Sequence, residues 1–266
     1  MTAPKATTVD TPDVLLSARA RGAGEQTPTL LLHADLGACG QWSEIADHLA
    51  KSRRVVSFDR RGHAESGHPR NGFGYSREVD DVAAIRAAFG LDRVVVIGHS
   101  GGGAAGYLYA QRYPGTVAGL LLVDPPQSRE AMPDGQMAGI LEQSRTDPTG
   151  FAKSFYQTIA GDDPAVIEQV LSDVEATPPD TIIGMIAALA GFEPAAVERR
   201  YRGPAEVVLQ SKNDTNFGLA EIAGFPSRTI DGAGHWIPQA ATARFLPLLD
   251  RFLASVDERE TSCAIA

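Results

Sequence analysis

The run Arg93-Val94-Val95-Val96-Ile97-Gly98-His99-Ser100-Gly101-Gly102-Gly103 decides the reading of the chain. Its β-branched residues predict a buried strand, and Ala104 to Arg112 continue directly as a predicted helix. Ser100 therefore falls on a strand-to-helix turn inside a Gly-X-Ser-X-Gly pattern. Glycines two residues either side of the serine leave room for neighbouring backbone that a Cβ would strike. The turn would hold the hydroxyl above the carboxyl edge of a sheet, where the first N–H groups of the new helix face an incoming group and suit a developing negative charge. A glycine-rich turn with a surface serine is the plainer reading, but the strand before it and the helix after it favour a nucleophile.

Outward from this turn, strands and helices alternate. Strands are predicted at 14–20, 29–33, 54–59, 117–123, 205–210 and 227–230, and helices at 41–50, 76–89 and 240–255, with a turn at 21–25 and a long polar loop at 60–67. Continuous apolar strands such as Leu30-Leu31-Leu32 suit a sheet covered on both faces. The fold class expected is α/β: a mostly parallel central sheet flanked by helices. Between residues 127 and 202 the rhythm breaks into four helical stretches, 135–143, 150–159, 164–174 and 179–190, punctuated by Asp-Pro and Thr-Pro-Pro. An all-helical cap over the carboxyl edge is the expectation, inserted before the last two strands, so that 1–126 and 203–266 form the core. The charged tail after Val256 is expected to be mobile.

At 266 residues, with 43% hydrophobic and 21% charged side chains, the chain can bury a sizeable single core. Its net charge of -9 argues against nucleic acid or an anionic membrane as a partner, and leaves a small molecule as the substrate. Two cysteines, Cys39 and Cys263, offer neither a disulfide framework nor metal-ligand spacing. No stretch reads as a signal peptide or a membrane span, so a cytoplasmic location is expected. No metal or organic cofactor is called for, and oligomeric state is not addressed by the sequence.

A serine hydroxyl needs a base, itself oriented by a carboxylate. Of six histidines, His235 in Gly232-Ala233-Gly234-His235-Trp236 follows the last strand and should project over the same edge as Ser100. Two aspartates compete for the carboxylate role. Asp214 follows the strand at 205–210; Asp124 ends the strand before the cap, where a loop-starting role ahead of two prolines competes. The residues favour Asp214.

The order nucleophile, acid, histidine, together with Asp59 to Ser66 and Gly232 to His235, resembles the α/β-hydrolase superfamily of esterases, lactonases and carbon-carbon hydrolases, over the chain outside the cap. The resemblance implies that Ser100 is the nucleophile, His235 the base, Asp214 the acid, and the backbone N–H groups of Asp35 and Gly101 the oxyanion hole. Asp35-Leu36-Gly37-Ala38-Cys39 is similar to the matching loop of the fungal lactonases that open zearalenone, which would put the acid at Asp124. His33-Ala34-Asp35 departs from the family's His-Gly-X by placing a carboxylate beside the hole, and that side chain is expected to turn away. Trp42 and Trp236 flank the site in sequence and are candidates for the pocket border, with core packing as the alternative. The implied activity is hydrolysis of an ester or lactone of a small to medium hydrophobic substrate through an acyl-enzyme. The rivals are a cofactor-free lyase, cyclase or oxygenase on the same scaffold, and a ligand-binding receptor.

Overall fold

The structure is a computed structural model that describes residues 5–69, 71–131, 135–210 and 218–265. Seven strands build one sheet: β1 (Thr7–Asp10), β2 (Leu15–Leu32), β3 (Arg53–Phe58), β4 (Val94–His99), β5 (Val117–Val123), β6 (Ala205–Leu209) and β7 (Ser227–Thr229). The path runs β1-β2-β4-β5-β6-β7, with β3 held against β2. Long β2 clasps β3 from both sides. Partner numbers fall along its first arm, from Ala18 opposite Phe58 to Arg21 opposite Val55, and rise along its second, from Thr29 opposite Val55 to Leu32 opposite Phe58. The first arm is thus antiparallel to β3 and the second parallel. The two short strands expected at 14–20 and 29–33 are these arms, and the chain reverses direction between them, with Gly22 at φ 71°, in the region where a turn was expected.

From the second arm of β2 onward the pairings are parallel. Such a sheet must be covered on both faces. In β4, Val94 and Val96 face one core cluster while Val95 and Ile97 face the other, the two-residue period of a strand buried on both sides. The first cluster is sealed by α2 (Tyr75–Ala88) and α3 (Gly101–Arg112), through residues such as Val82, Ile85 and Tyr107. The second is sealed by α1 (Ser43–Leu49) and α10 (Thr242–Ile265), through Ile45, Leu49, Phe245 and Leu249. The mobile tail is corrected: α10 continues to Ile265, and Asp257 and Glu260 pair with Arg53 and Arg93 at 2.8 and 2.7 Å. Those charges that read as solvated tail are the polar face of a docked helix.

Four helices lie between β5 and β6: α4 (Gln136–Thr146), α5 (Pro148–Ile159), α6 (Pro164–Ala176) and α7 (Pro179–Ala190). Proline at the first position starts three of them without wasting an N–H. Asp147 caps the Gly150 N–H at 3.0 Å, and Asp163 caps those of Ala165 and Val166. The short helices α8 (Leu219–Ala223) and α9 (Ile237–Ala240) complete the return to the core.

Candidate active site

Ser100 sits between β4 and α3 with φ 52° and ψ -126°, a conformation that a non-glycine residue adopts only under constraint. Packing supplies the constraint. A Cβ on Gly98 would lie 2.4 Å from the Gly102 carbonyl oxygen, and one on Gly102 would lie 2.4 Å from that of His33. The Ser100 N–H donates to the Val123 carbonyl at 2.9 Å, and its own carbonyl accepts from Gly103 and Ala104. The elbow is fixed by backbone on all sides.

His235 lies on the loop after β7, its N–H donating to the Ile159 carbonyl at the end of α5. Its Nδ1 is 2.6 Å from Asp124 Oδ2, and the Gln210 N–H approaches Asp124 Oδ1 at 3.3 Å. Asp124 follows β5 directly and has φ 41°. An imidazole whose Nδ1–H is held by a carboxylate keeps its Nε2 lone pair available on the opposite edge. The carboxylate on His235 is therefore Asp124; Asp214 lies outside the described residues. Buried His99, the residue before the serine, places its Nε2 2.8 Å from the His235 carbonyl. Burial drives its pKa well below the ordinary value, so the neutral ring donates that N–H and steadies the histidine loop.

The loop after β2 is pinned peptide by peptide. His33 Nδ1 grips the Ala34 carbonyl at 2.7 Å, the Ala34 N–H donates to Gln41 Oε1, and the Leu36 N–H donates to His63 Nε2 at 3.0 Å. Tyr156 of α5 donates its hydroxyl to the Asp35 carbonyl at 3.1 Å. The N–H groups of Asp35 and Gly101 donate to no partner among the described residues. The Asp35 side chain is fixed by two hydrogen bonds. Arg60 Nη1 holds Oδ1 at 2.8 Å and Tyr75 Oη holds Oδ2 at 2.6 Å, which keeps the carboxylate against Gly101. Arg60, fully buried, also forks onto Glu78 at 2.5 and 2.7 Å, and burial leaves the Glu78 carboxyl raised to about 7.

Ser100, His235, Asp124 and Asp35 all line one cavity of about 460 Å³, walled on its other sides by Phe155, Ile159 and Leu189. No hydrogen bond joins Ser100 Oγ to His235 among the described residues. A narrower apolar recess branches off past Asp35 between α5 and α7, where Phe151, Met185 and Ile186 meet.

The sequence of residues 27–203 matches the family model described as the alpha/beta hydrolase fold. The chain belongs to that family. Among solved structures, an esterase from Thermogutta terrifontis is 23% identical with a TM-score of 0.78, covering 95% of this chain and 99% of that one. Est816, described as an N-acyl homoserine lactone degrading enzyme, is 21% identical with a TM-score of 0.78 over 92% and 100% of the two chains. Both likenesses are of fold. The 1-acylglycerol-3-phosphate O-acyltransferase ABHD5 of Sus scrofa is 36% identical over 104 residues, which are 37% of this chain and 29% of that protein.

Within this α/β hydrolase, Ser100, His235, Asp124, Asp35 and Gly101 converge on one sheet edge. Trp42 and Trp236, candidates for the pocket border, are each 1% exposed and lie off the cavity wall, packed edge-on against His99. Aromatic bulk beside the imidazole pair drew them into the core. Among the described residues no helix is long and apolar enough to cross a membrane, and no group of three or more His, Cys, Asp or Glu could hold a metal ion. Arg60, Glu78 and Tyr75 escaped the sequence reading. Their signal was available in part: two adjacent arginines in a loop, with Glu78 and Asp81 on the following helix, match the paired forks Arg60–Glu78 and Arg61–Asp81.

Proposed function

We propose that the protein is a serine hydrolase that cleaves an ester or lactone bond of a small to medium hydrophobic substrate through an acyl-enzyme. In this reading Ser100 is the nucleophile, His235 the general base and Asp124 the orienting acid, in place of Asp214. The N–H groups of Asp35 and Gly101 form the oxyanion hole. Residues 127–202 form a cap over the sheet edge. The observation that carries the reading is the 2.6 Å contact between His235 Nδ1 and Asp124, with Ser100 held on a strained elbow in the same cavity.

The steps follow from the chemistry of these groups. His235 Nε2 takes the Ser100 hydroxyl proton as Oγ bonds to the carbonyl carbon, and the carbonyl electron pair moves onto oxygen, facing the N–H groups of Asp35 and Gly101. Collapse expels the alcohol oxygen, which takes the proton from His235 Nε2. Water then repeats the sequence and frees the acid. Asp124 stays ionised throughout and stabilises the imidazolium. The apolar wall formed by α5 and α7 suits a hydrophobic acyl group. The esterase and lactone-degrading enzymes that share the fold support the same chemistry.

The test is steady-state product release from p-nitrophenyl esters and aliphatic lactones of increasing chain length. The wild-type protein should turn over, and Ser100→Ala should lose at least about four orders of magnitude in kcat. Turnover unchanged in Ser100→Ala would instead favour proton-transfer chemistry by His235 on the same scaffold, and binding without product would favour a receptor.

A further inference from the structure

Asp35 stands where an acyl hydrolase gains nothing from a carboxylate. A negative charge beside a developing oxyanion raises the barrier that the two N–H donors lower. Its position is nonetheless built. A Cβ on Gly101 would fall 1.9 Å from Oδ1 and 2.3 Å from Oδ2, so the carboxylate lies directly over the first residue of α3. It lines both the main cavity and the apolar recess, and is only 6% exposed.

Among the described residues, hydrogen bonding leaves the group half used. Arg60 takes one position on Oδ1 and Tyr75 one on Oδ2, whereas an ionised carboxylate offers about four acceptor positions. The same Arg60 guanidinium is shared with Glu78, to which it gives two bonds. A buried acceptor with spare capacity attracts a donor. The main cavity mixes polar and apolar side chains, but the recess that opens past Asp35 is lined by Leu36, Phe151, Met185 and Ile186, so a polar group at its mouth sets orientation and selectivity there.

We propose that the Asp35 carboxylate is a specificity-determining group that accepts a hydrogen bond from a hydroxyl or N–H on the carbon next to the scissile carbonyl. The proposal rests on the ester-hydrolase reading of the site. A carbonyl oxygen seated between the Asp35 and Gly101 N–H groups puts its α-substituent within reach of a carboxylate that packs on Gly101. The preferred substrates are then α-hydroxy or α-acylamino esters and lactones. Bound in this way, the substrate's own donor faces the charge that would otherwise oppose the oxyanion.

Three matched phenyl esters test this: the 2-hydroxypropanoate, the 2-methoxypropanoate and the unsubstituted propanoate. Methoxy keeps the inductive pull of the oxygen and removes the donor. In the wild-type protein kcat/KM should favour hydroxy over methoxy by about tenfold or more, the effect expected of one charge-assisted hydrogen bond. In Asp35→Asn and Asp35→Ala that ratio should collapse toward one, and taking a ratio within each protein cancels any general loss of activity. An equal wild-type rate for the hydroxy and methoxy esters overturns the proposal, as does a hydroxy preference that survives in both variants. The wild-type comparison needs no variant to fold. Failure to hydrolyse any of the three esters, or any p-nitrophenyl ester, would sink the hydrolase reading instead.

Discussion

Asp124 and Ser100 share an uncommon property: both are non-glycine residues at positive φ, 41° and 52°, at the carboxyl ends of adjacent strands. Each holds that conformation because neighbouring backbone bonds fix it, the Asp124 N–H donating to Val208 and the Ser100 N–H to Val123. Strain of this sort points side chains out of the sheet edge. Asp124→Asn should therefore retain the fold while lowering kcat by about four orders of magnitude, since an amide N–H can donate to His235 Nδ1 and hold the imidazole in the wrong tautomer. Asp214→Asn should leave kcat within a few-fold. Ester kinetics with circular dichroism on both variants decides the matter; loss of turnover in Asp214→Asn alone would contradict the assignment. Sequence could not separate the two aspartates, because both follow strands predicted from the sequence and the partner histidine lies 111 residues from Asp124 along the chain. Ser100 and His235 were legible because local glycine patterns mark their loops. The company of Asp35 was not, because Arg60 and Tyr75 reach it across 25 and 40 residues.

The strand, elbow and helix from β4 to α3 show what makes an element readable. Val94 to Ile97 carry a strand period, Ala104 to Arg112 a helical one, and the glycines between them are needed for clearance. A methyl group on Gly102 would lie 2.4 and 2.6 Å from the His33 and Leu32 carbonyl oxygens, which are backbone and cannot rotate away. Gly102→Ala should cost at least about 2 kcal/mol in urea unfolding, by overpacking. Gly115→Ala, with nothing within 4 Å of its new methyl, is the control and should change stability by less than about 0.5 kcal/mol. A neutral Gly102→Ala would mean that the elbow is looser than drawn. Elements whose signals are tertiary were missed. β1 has one buried residue in four, and its strand character comes from pairing with β2. The last turns of α10 are polar, and their helix is held by Arg53 and Arg93 from elsewhere in the chain.

Across the molecule, three fully buried histidines, His33, His63 and His99, lock the loops that meet at the site. Each is held neutral, chiefly by burial; His63 is brought down to about 4. In the unfolded chain they titrate near the ordinary 6.5, so below that pH the unfolded state binds protons that the folded state refuses. Their contribution is intact above about pH 6.5 and declines as pH falls toward 4, by about 3 kcal/mol for His63 alone. Glu78, raised to about 7, acts in the opposite sense, joined by the carboxyls of Asp81 and Asp173, which burial raises from a lower starting value. The urea midpoint should fall steadily between pH 6.5 and 4.5, and a flat or rising profile would contradict the neutral assignments. The loop at 60–67 is polar in composition, yet Arg60, Arg61, His63 and Ser66 are buried. Paired charges let Arg60 and Arg61 go inside, a pattern that depends on the acidic partners of α2.

The central claim, that Ser100 attacks as a nucleophile, is tested most directly by reacting the protein with a fluorophosphonate and mapping the adduct by mass spectrometry. One phosphonyl group should appear on Ser100, more slowly in His235→Ala and not at all in Ser100→Ala. Ester turnover by a protein that takes up no label at Ser100 would contradict the account.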